Sequence, residues 1–215
     1  MDIEKKYVKY FYEKVADSWI NIRQKFKILK ILKKLKNLKN KKILEVGCGT
    51  ATQLIEFKDN FLIGIDFSKN MIKHAKEYAN KRNIKIYFIL ADARYLPFKK
   101  NSFDFVFSIA TIHHIKKRIE RIKAIKEILR VSKDLCLFSV LKRYSSLTFF
   151  RLFIDFLKLH NFGDIFLTWN YKGKKLKRFY HTYSKKELIS DLRIINIQNF
   201  EILEDKFNYY VIFKK

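Results

Sequence analysis

Short, almost unbroken apolar runs alternate with amphipathic segments through the middle of this chain. The runs lie at residues 42–46, 61–66, 84–90, 103–110 and 134–141. Between them, residues 68–80 and 116–130 repeat their apolar positions with the period of a helix. Strands that are apolar on both faces are typical of a parallel sheet, because each face of such a sheet is covered. The pattern therefore predicts an α/β fold with helices on both faces of the sheet.

The flanks of this region predict further helices and two closing strands. Helices are predicted at residues 4–19, 24–38 and 184–192, and strands at residues 198–204 and 207–213 with a turn at Asp205 and Lys206. The closing strands complete a mostly parallel sheet of seven predicted strands.

Residues 143–183 interrupt this alternation. They contain an apolar helical pattern at 147–159 and a basic run at 171–181. We interpret them as a substrate-side insertion into a single domain of residues 1–215, whose first part, residues 1–40, is basic and helical.

The charge balance indicates a polyanionic partner. Lys and Arg number 47 against 21 Asp and Glu, and the resulting charge of +26 attracts polyanions. Nine lysines fall from Lys25 to Lys42, a stretch that includes the basic amphipathic helix predicted at 24–38. Nucleic acid is the first candidate partner and an anionic membrane surface the second, while a general compositional preference for lysine is the alternative.

Cysteine and histidine usage disfavours several other classes of protein. Cys48 and Cys136 form no Cys-x-x-Cys pair, and the five histidines lack the spacing of zinc ligands. The first residues are charged, and no stretch of 18 residues lacks charge. We therefore expect a cytoplasmic protein with reduced thiols and with no metal site, signal peptide or membrane span.

The candidate chemistry lies where the predicted strands end. Gly47 and Gly49 follow the first strand, where glycines let the backbone approach a ligand. Asp66 ends the second strand, and a carboxylate there can accept both hydroxyls of a ribose. Asp92 and Ala93 follow the third strand, within reach of an adenine.

Electrostatics favours S-adenosylmethionine over a nicotinamide dinucleotide as the ligand of this loop. The dinucleotide motif GxGxxG requires glycine where Thr52 stands. Glu45, near the end of the first strand, would repel a pyrophosphate, whereas a carboxylate suits a ligand that carries a sulfonium and an amino group.

Taken together, LEVGCGTA, GIDFS, ADARYLPF and FDFVFSIATIHHI resemble the four motifs of the class I S-adenosylmethionine-dependent methyltransferases. The resemblance covers residues 42–141 and implies a Rossmann-like fold. It implies that Gly47 and Gly49 pass under the methionine part, that Glu45 orients its amino group, that Asp66 holds the ribose, that Asp92 and Ala93 contact adenine and that Ser108 lies near the sulfonium. Two departures are Ala51, where a third glycine is usual, and Ser132-Lys133-Asp134 in place of a Pro-Gly-Gly turn.

The flanks carry a narrower resemblance. YVKYFYEKVADSWINIRQKF, SIATIHHI, RFYHTYSKKEL and NYYVIF resemble segments of the wobble-uridine tRNA carboxymethyl methyltransferases, which esterify 5-carboxymethyluridine. This resemblance implies tRNA as a partner and a substrate pocket containing Arg23, His113, His114, Arg178 and His181. Eukaryotic members work with a small zinc-binding activator protein, so such a partner is implied as well. A carboxylate acceptor is already ionised at neutral pH, and it needs cationic or hydrogen-bonding clamps instead of a base.

Two other functions compete with this hypothesis. A methyltransferase with a small-molecule acceptor, such as a quinone precursor, would suit the apolar segment 147–159 but not the charge of +26. A non-catalytic RNA-binding protein with a degenerate cofactor fold would explain Ala51 but not the intact Glu45, Asp66 and Asp92.

Overall fold

The computed structural model describes residues 3–23, 30–35, 37–144 and 162–215. The strands are β1 (Lys42–Val46), β2 (Phe61–Asp66), β3 (Ile86–Leu90), β4 (Phe103–Ser108), β5 (Ser132–Leu141), β6 (Asp164–Tyr171), β7 (Lys174–His181), β8 (Phe200–Glu204) and β9 (Asn208–Lys214). The helices are α1 (Tyr10–Arg23), α2 (Lys30–Lys33), α3 (Lys69–Asn80), α4 (Arg118–Val131) and α5 (Lys185–Ile194), with a π-helix at Lys5–Lys9 and 3-10 turns at Leu54–Phe57 and Ile112–His114. None of the helices within these ranges is both long and apolar enough to span a bilayer.

Seven of the strands form one sheet in the order β3-β2-β1-β4-β5-β9-β8. The first five strands along the chain pair in parallel, while β9 runs antiparallel to both β5 and β8. The predicted mostly parallel sheet of seven strands is confirmed, and each predicted strand end lies within two residues of the observed one.

The two faces of this sheet are buried under different helices. On one face, Leu44 of β1 joins a core cluster with Ile125 of α4 and Leu188 of α5. On the other face, the adjacent Ile43 joins a cluster with Ala75 of α3. Neighbouring residues of a strand point to opposite faces, so Ile43 and Leu44 of β1 supply one apolar side chain to each core. Helices therefore cover both faces, as the sequence predicts.

Strands β6 and β7 form a separate two-stranded hairpin that the sequence analysis did not predict. Its turn consists of Lys172 and Gly173, whose φ angles of 47° and 74° are those of a tight two-residue hairpin loop. The basic run at residues 171–181 thus includes the whole of β7. The helix predicted at 147–159, and the first part of that predicted at 24–38, lie outside the described residues.

Residues 3–23, which we call the N-terminal helical segment, are fixed to the start of α3. The Glu13 carboxylate accepts hydrogen bonds from the backbone N–H groups of Lys69 (2.7 Å) and Asn70 (3.2 Å). The next N–H, of Met71, donates to the Ser68 hydroxyl at 3.2 Å. The first N–H groups of a helix have no partner within the helix, so Glu13 and Ser68 together satisfy the start of α3. This contact holds α1 beside the carboxyl end of β2.

We predict that Glu13→Ala destabilises the protein by about 1 kcal/mol, because two helix-end N–H groups lose a carboxylate acceptor. Urea unfolding followed by circular dichroism measures the change. Glu13→Gln, which keeps one acceptor oxygen, should recover part of the loss. Glu56→Ala removes an exposed carboxylate from a 3-10 turn and is the matched control. Equal unfolding midpoints for Glu13→Ala and Glu56→Ala would contradict the prediction.

Candidate active site

A cavity of about 310 Å³ opens at the carboxyl ends of the central parallel strands, the usual binding edge of such a sheet. The turn after β1 lies at one end, and the N-terminal helical segment and β7 close the other. Eight of the site residues predicted from sequence line it: Gly47, Gly49, Asp66, Asp92, Ala93, His113, His114 and Arg178. The structure therefore brings most of the predicted cofactor and substrate residues into one space.

The turn after β1 requires glycine at Gly47 and leaves room at Gly49. Gly47 has a φ of +73°, and a Cβ added there would lie 2.2 Å from the Thr111 hydroxyl oxygen. Gly49 has a φ of +52°, and a Cβ added there would meet nothing within 4 Å. Since Gly49 lines the cavity, this open space is available to a ligand that approaches the backbone.

Ala51, which stands where the family motif usually has a third glycine, adopts a backbone conformation typical of glycine. Its φ is +56°, in the left-handed region, and its N–H donates to the Cys48 carbonyl at 2.8 Å. A side chain in this conformation costs about 1–2 kcal/mol, which the buried surroundings of Ala51 must offset. The departure from the family motif therefore adds backbone strain at Ala51 but leaves the hydrogen-bonded turn intact.

Asp66 presents a buried carboxylate to the cavity from the end of β2. One oxygen accepts from the N–H of Ser68 and the other from the N–H of Gly49, each at 2.9 Å. Burial raises the pKa of Asp66 to about 6, although these hydrogen bonds favour the ionised form. The carboxylate is thus held rigidly at the point predicted to meet a ribose.

Asp92 is held by a neighbour that sequence reasoning missed. The Arg94 guanidinium donates to both Asp92 oxygens, at 2.9 and 2.6 Å, and a third bond comes from the Arg94 N–H. Burial alone would raise the pKa of Asp92, but these bonds and the Arg94 charge lower it below its ordinary value. Arg94 also reaches Glu4 at 2.9 Å, which ties the N-terminal helical segment to this end of the cavity.

Glu45 and Ser108 lie outside the set of described residues that line the cavity. Both are buried, and the Ser108 hydroxyl donates to the Val46 carbonyl at 3.0 Å. Ile109, Ala110 and Thr111, the next residues along the chain, form the wall instead. Ser108 thus braces the end of β1, and the cofactor contacts implied for it and for Glu45 stay predictions.

His114 is locked into one tautomer by its two hydrogen bonds. Its Nδ1 lies 2.9 Å from the carbonyl oxygen of Phe179, which can only accept, so Nδ1 carries the proton. Nε2 therefore accepts from the Tyr12 hydroxyl at 2.8 Å. The same hydroxyl oxygen accepts from Arg178 at 3.0 Å. Tyr12, which the sequence analysis placed only within the helix predicted at 4–19, thus links the two predicted substrate residues.

His113 has the opposite tautomer. Its Nδ1 accepts from the Leu141 N–H at 3.1 Å, so Nε2 carries the proton of the neutral ring. Burial, reinforced by the charge of Arg178, lowers the pKa of His113 to about 3. Burial, His113 and Arg178 lower the pKa of His114 well below its ordinary value. Both histidines are neutral at pH 7, and each already uses its unprotonated nitrogen.

Arg178 lies among four aromatic rings. Its guanidinium carbon is 4.7 Å from the ring centres of Phe11 and Tyr180, 5.2 Å from Trp19 and 5.5 Å from Tyr12. A cation above aromatic faces is stabilised by their quadrupoles, more so where water is excluded. Three of the rings come from α1, so the N-terminal helical segment positions this cation in the cavity.

The other two residues predicted for the substrate pocket differ from these. His181 is buried at the base of the hairpin, with Nδ1 2.8 Å from Asp164 and Nε2 2.7 Å from Glu187. Since alternate residues of a strand face opposite ways, His181 points away from the side on which Arg178 lines the cavity. The structure therefore places His181 in a buried hydrogen-bonded cluster with Asp164 and Glu187. Arg23 is the last residue of α1, and its side chain lies outside the described part of the structure.

A glycine turn after β1, carboxylates after β2 and β3, and this strand order define a class I S-adenosylmethionine-dependent methyltransferase domain. Residues 43–134 match a family model described as a methyltransferase domain. The crystal structure of a SAM-dependent methyltransferase from Methanosarcina mazei has a TM-score of 0.73 at 24% identity, covering 88% of this chain and 99% of that one. Residues 43–134 are therefore a methyltransferase domain, the fold is that of the S-adenosylmethionine-dependent methyltransferases, and the predicted cofactor is confirmed.

Two curated relatives are each named tRNA (carboxymethyluridine(34)-5-O)-methyltransferase. The Arabidopsis thaliana protein is 34% identical over 132 residues, which are 61% of this chain and 31% of that protein. The Saccharomyces cerevisiae protein is 32% identical over 126 residues, which are 59% of this chain and 44% of that protein. This chain thus spans less than half the length of these curated relatives. The narrower resemblance stated from the flanking motifs is confirmed as a similarity.

The cavity fits S-adenosylmethionine by shape and by charge. Gly49 leaves space against the backbone, and Asp66 offers a carboxylate where a ribose would lie. Cys48 lies in the same turn and is buried. Burial raises the pKa of its thiol well above the usual range, so the group stays an uncharged thiol and adds no second negative charge beside Asp66.

We predict that cofactor affinity falls as the pH drops through 6. Ribose hydroxyls donate to an ionised Asp66, so below its pKa of about 6 the ligand must first displace a proton. The Kd for S-adenosylhomocysteine should then rise by up to about tenfold per pH unit. Calorimetry measures this Kd between roughly pH 5 and 8, a range that includes the pKa of Asp66. Asp66→Asn should flatten the dependence, and Asp66→Ala should weaken binding at least about tenfold. A wild-type Kd that is flat across this range would remove Asp66 from the ribose site.

Proposed function

We propose that this chain transfers the methyl group of S-adenosylmethionine to the carboxylate of 5-carboxymethyluridine at the wobble position of tRNA. The observation that carries the proposal is Arg178, a guanidinium in the same cavity as the glycine turn and Asp66. Its setting among four aromatic rings, with a hydrogen bond to the Tyr12 hydroxyl, suits recognition of a planar anion. The names of the two relatives and the charge of +26 add independent support.

A carboxylate acceptor matches the donors that the cavity offers. When bound, S-adenosylmethionine supplies an electrophilic methyl group. Arg178 can hold one carboxylate oxygen and leave the other oriented for attack, while the Nε2–H of His113 is a second, neutral donor. Alignment of this kind can contribute about 7–11 kcal/mol in favourable cases.

The histidines argue against acceptors that must lose a proton. An amine or a phenol needs a base within hydrogen-bond reach. Nδ1 of His113 and Nε2 of His114 both already accept hydrogen bonds, and both rings have lowered pKa values. A carboxylate is ionised above a pKa of about 4 and needs neither nitrogen as a base.

A small-molecule acceptor is the second candidate. Trp19, Ile115 and Leu141 give the cavity an apolar side that would accommodate such a substrate. The net charge and the basic hairpin favour tRNA, because a small neutral acceptor gains nothing from them.

The proposal predicts base-labile labelling of tRNA. The protein is incubated with labelled S-adenosylmethionine and tRNA containing 5-carboxymethyluridine, and the product is treated with mild base. A methyl ester is hydrolysed, whereas methyl groups on nitrogen, carbon or ribose oxygen survive. Base-stable label would refute the ester while keeping the methyltransferase. Label in a small-molecule extract but not in tRNA would favour the second candidate. Each reaction is run with and without a small zinc-binding activator protein, since such a partner is part of the hypothesis.

Arg178→Ala should lower kcat/KM for tRNA about 100-fold, about 2.7 kcal/mol, while the Kd for S-adenosylhomocysteine changes less than about twofold. Arg178→Lys keeps the charge but not the planar fork of the guanidinium, so its activity should lie between those of the wild type and Arg178→Ala. Arg193→Ala, at an exposed position in the last turn of α5, controls for the loss of one positive charge. Equal losses in cofactor affinity and turnover would assign Arg178 to the cofactor site instead.

A further inference from the structure

The hairpin of β6 and β7 has two faces of different chemistry. On the inner face, Trp169 packs against Trp19 of α1 with ring centres 5.9 Å apart, and Arg178 lines the cavity. The opposite, outer face carries two cross-strand pairs, Thr168 with Lys177 and Asn170 with Lys175. We call these four residues the outer face, and all four are exposed. Strand alternation thus separates a packed, substrate-facing side from a polar, basic one.

The positive charge of this hairpin is not balanced within it. Residues 165–181 contain no Asp or Glu. Lys172, at the turn, is paired with Asp17 of α1 at 3.0 Å, whereas Lys175 and Lys177 extend from the exposed side. Their Cα atoms lie about 7 Å apart along the strand, a spacing on the order of that between successive phosphates of one nucleic-acid strand.

The N-terminal helical segment extends the same surface. The Tyr7 ring packs edge-on against Phe166 with ring centres 5.0 Å apart, and Phe166 pairs with Phe179 on the side of the hairpin that carries the outer face. Lys6 is exposed, with its ammonium 5.0 Å from the centre of the Tyr7 ring. A third cation is therefore positioned at the base of the outer face by packing between two elements.

We propose that the outer face, together with Lys6, binds the phosphate backbone of the RNA that carries the methyl acceptor. This inference rests on the proposed function and adds the surface by which the substrate docks. Thr168 and Asn170 place hydrogen-bonding groups beside the lysines, a combination that phosphate and sugar contacts use. Membrane binding would instead require exposed apolar side chains to insert, whereas Phe166 is covered by Tyr7.

The position of Arg178 connects this surface with the cavity. Arg178 follows Lys177 directly in β7, so their Cα atoms are about 3.8 Å apart while their side chains point to opposite faces. Phosphates that flank the target nucleotide can thus lie on one side of the strand while the acceptor group meets Arg178 on the other.

The test compares Lys175→Ala/Lys177→Ala with Lys99→Ala/Lys100→Ala. The control pair is exposed and precedes β4, at the end of the sheet opposite the cavity, and it removes the same charge. Binding of tRNA is titrated between roughly 50 and 200 mM salt. Loss of two phosphate contacts should reduce the slope of log K against log salt by about 1.5, whereas the control should leave the slope near the wild-type value. The Kd for S-adenosylhomocysteine and the unfolding midpoint should stay at wild-type values in both variants.

Equal slopes in the two double variants would overturn the docking surface, and base-labile transfer to tRNA would still support the proposed function. A reduced slope without base-labile transfer would support the surface and refute the carboxylate acceptor. Binding to phosphatidylserine vesicles that depends on Lys175 and Lys177, with tRNA slopes unchanged, would identify a membrane surface and overturn the RNA assignment.

Discussion

The cavity depends on the attachment of the N-terminal helical segment across the open end of the parallel sheet. A parallel sheet leaves its strand ends open, and here the missing wall is supplied by residues that precede the first strand. Polar contacts hold that wall at several points: Glu4 binds Arg94, Glu13 binds the start of α3, and Asp17 binds Tyr171 and Lys172. Each of these contacts is partly exposed and therefore contributes little stability by itself, so the segment is held in place by several contacts acting together. Without it, Arg178 would lose three of its four aromatic neighbours.

The same wall sets the electrostatics of the substrate end. Tyr12 donates to His114 and accepts from Arg178, so one hydroxyl fixes a neutral tautomer and orients a cation. Two neutral imidazoles beside a permanent guanidinium make a site that attracts an anion without taking up a proton itself. Asp66, at the other end, is ionised at neutral pH despite burial, because two backbone N–H groups solvate it. The cavity is therefore polarised along its length, with the Asp66 carboxylate at one end and the Arg178 cation at the other.

Apolar runs predict the central part of this sheet well because both faces of its central strands, such as β1 and β4, are buried. The motif order also predicts which loops meet at the cavity. It does not predict hydrogen-bond partners: the Ser108 hydroxyl donates to the Val46 carbonyl, and His181 lies between Asp164 and Glu187, so their site roles stay predictions. Tyr12 and Arg94 gave no signal, since an aromatic residue on an apolar helix face and an arginine in a loop are ordinary. Their roles arise only from contacts between segments far apart in sequence. The hairpin was missed because its outer face is as polar as a loop and because its turn, Lys172-Gly173, lacks the Asn or Asp that usually marks a two-residue turn.

Enclosure of Arg178 bears on how a highly basic protein could select one anion among many. Exposed lysines attract any phosphate, so the charge of +26 by itself favours many RNA contacts and distinguishes none. Arg178 differs because aromatic rings surround it and because it faces inward from β7. A backbone phosphate that is joined to a sugar on each side cannot easily enter such a space, whereas a carboxylate on a flexible side group of one base can. General attraction and specific recognition would then be assigned to opposite faces of one strand, and the fold would keep them apart by strand alternation alone.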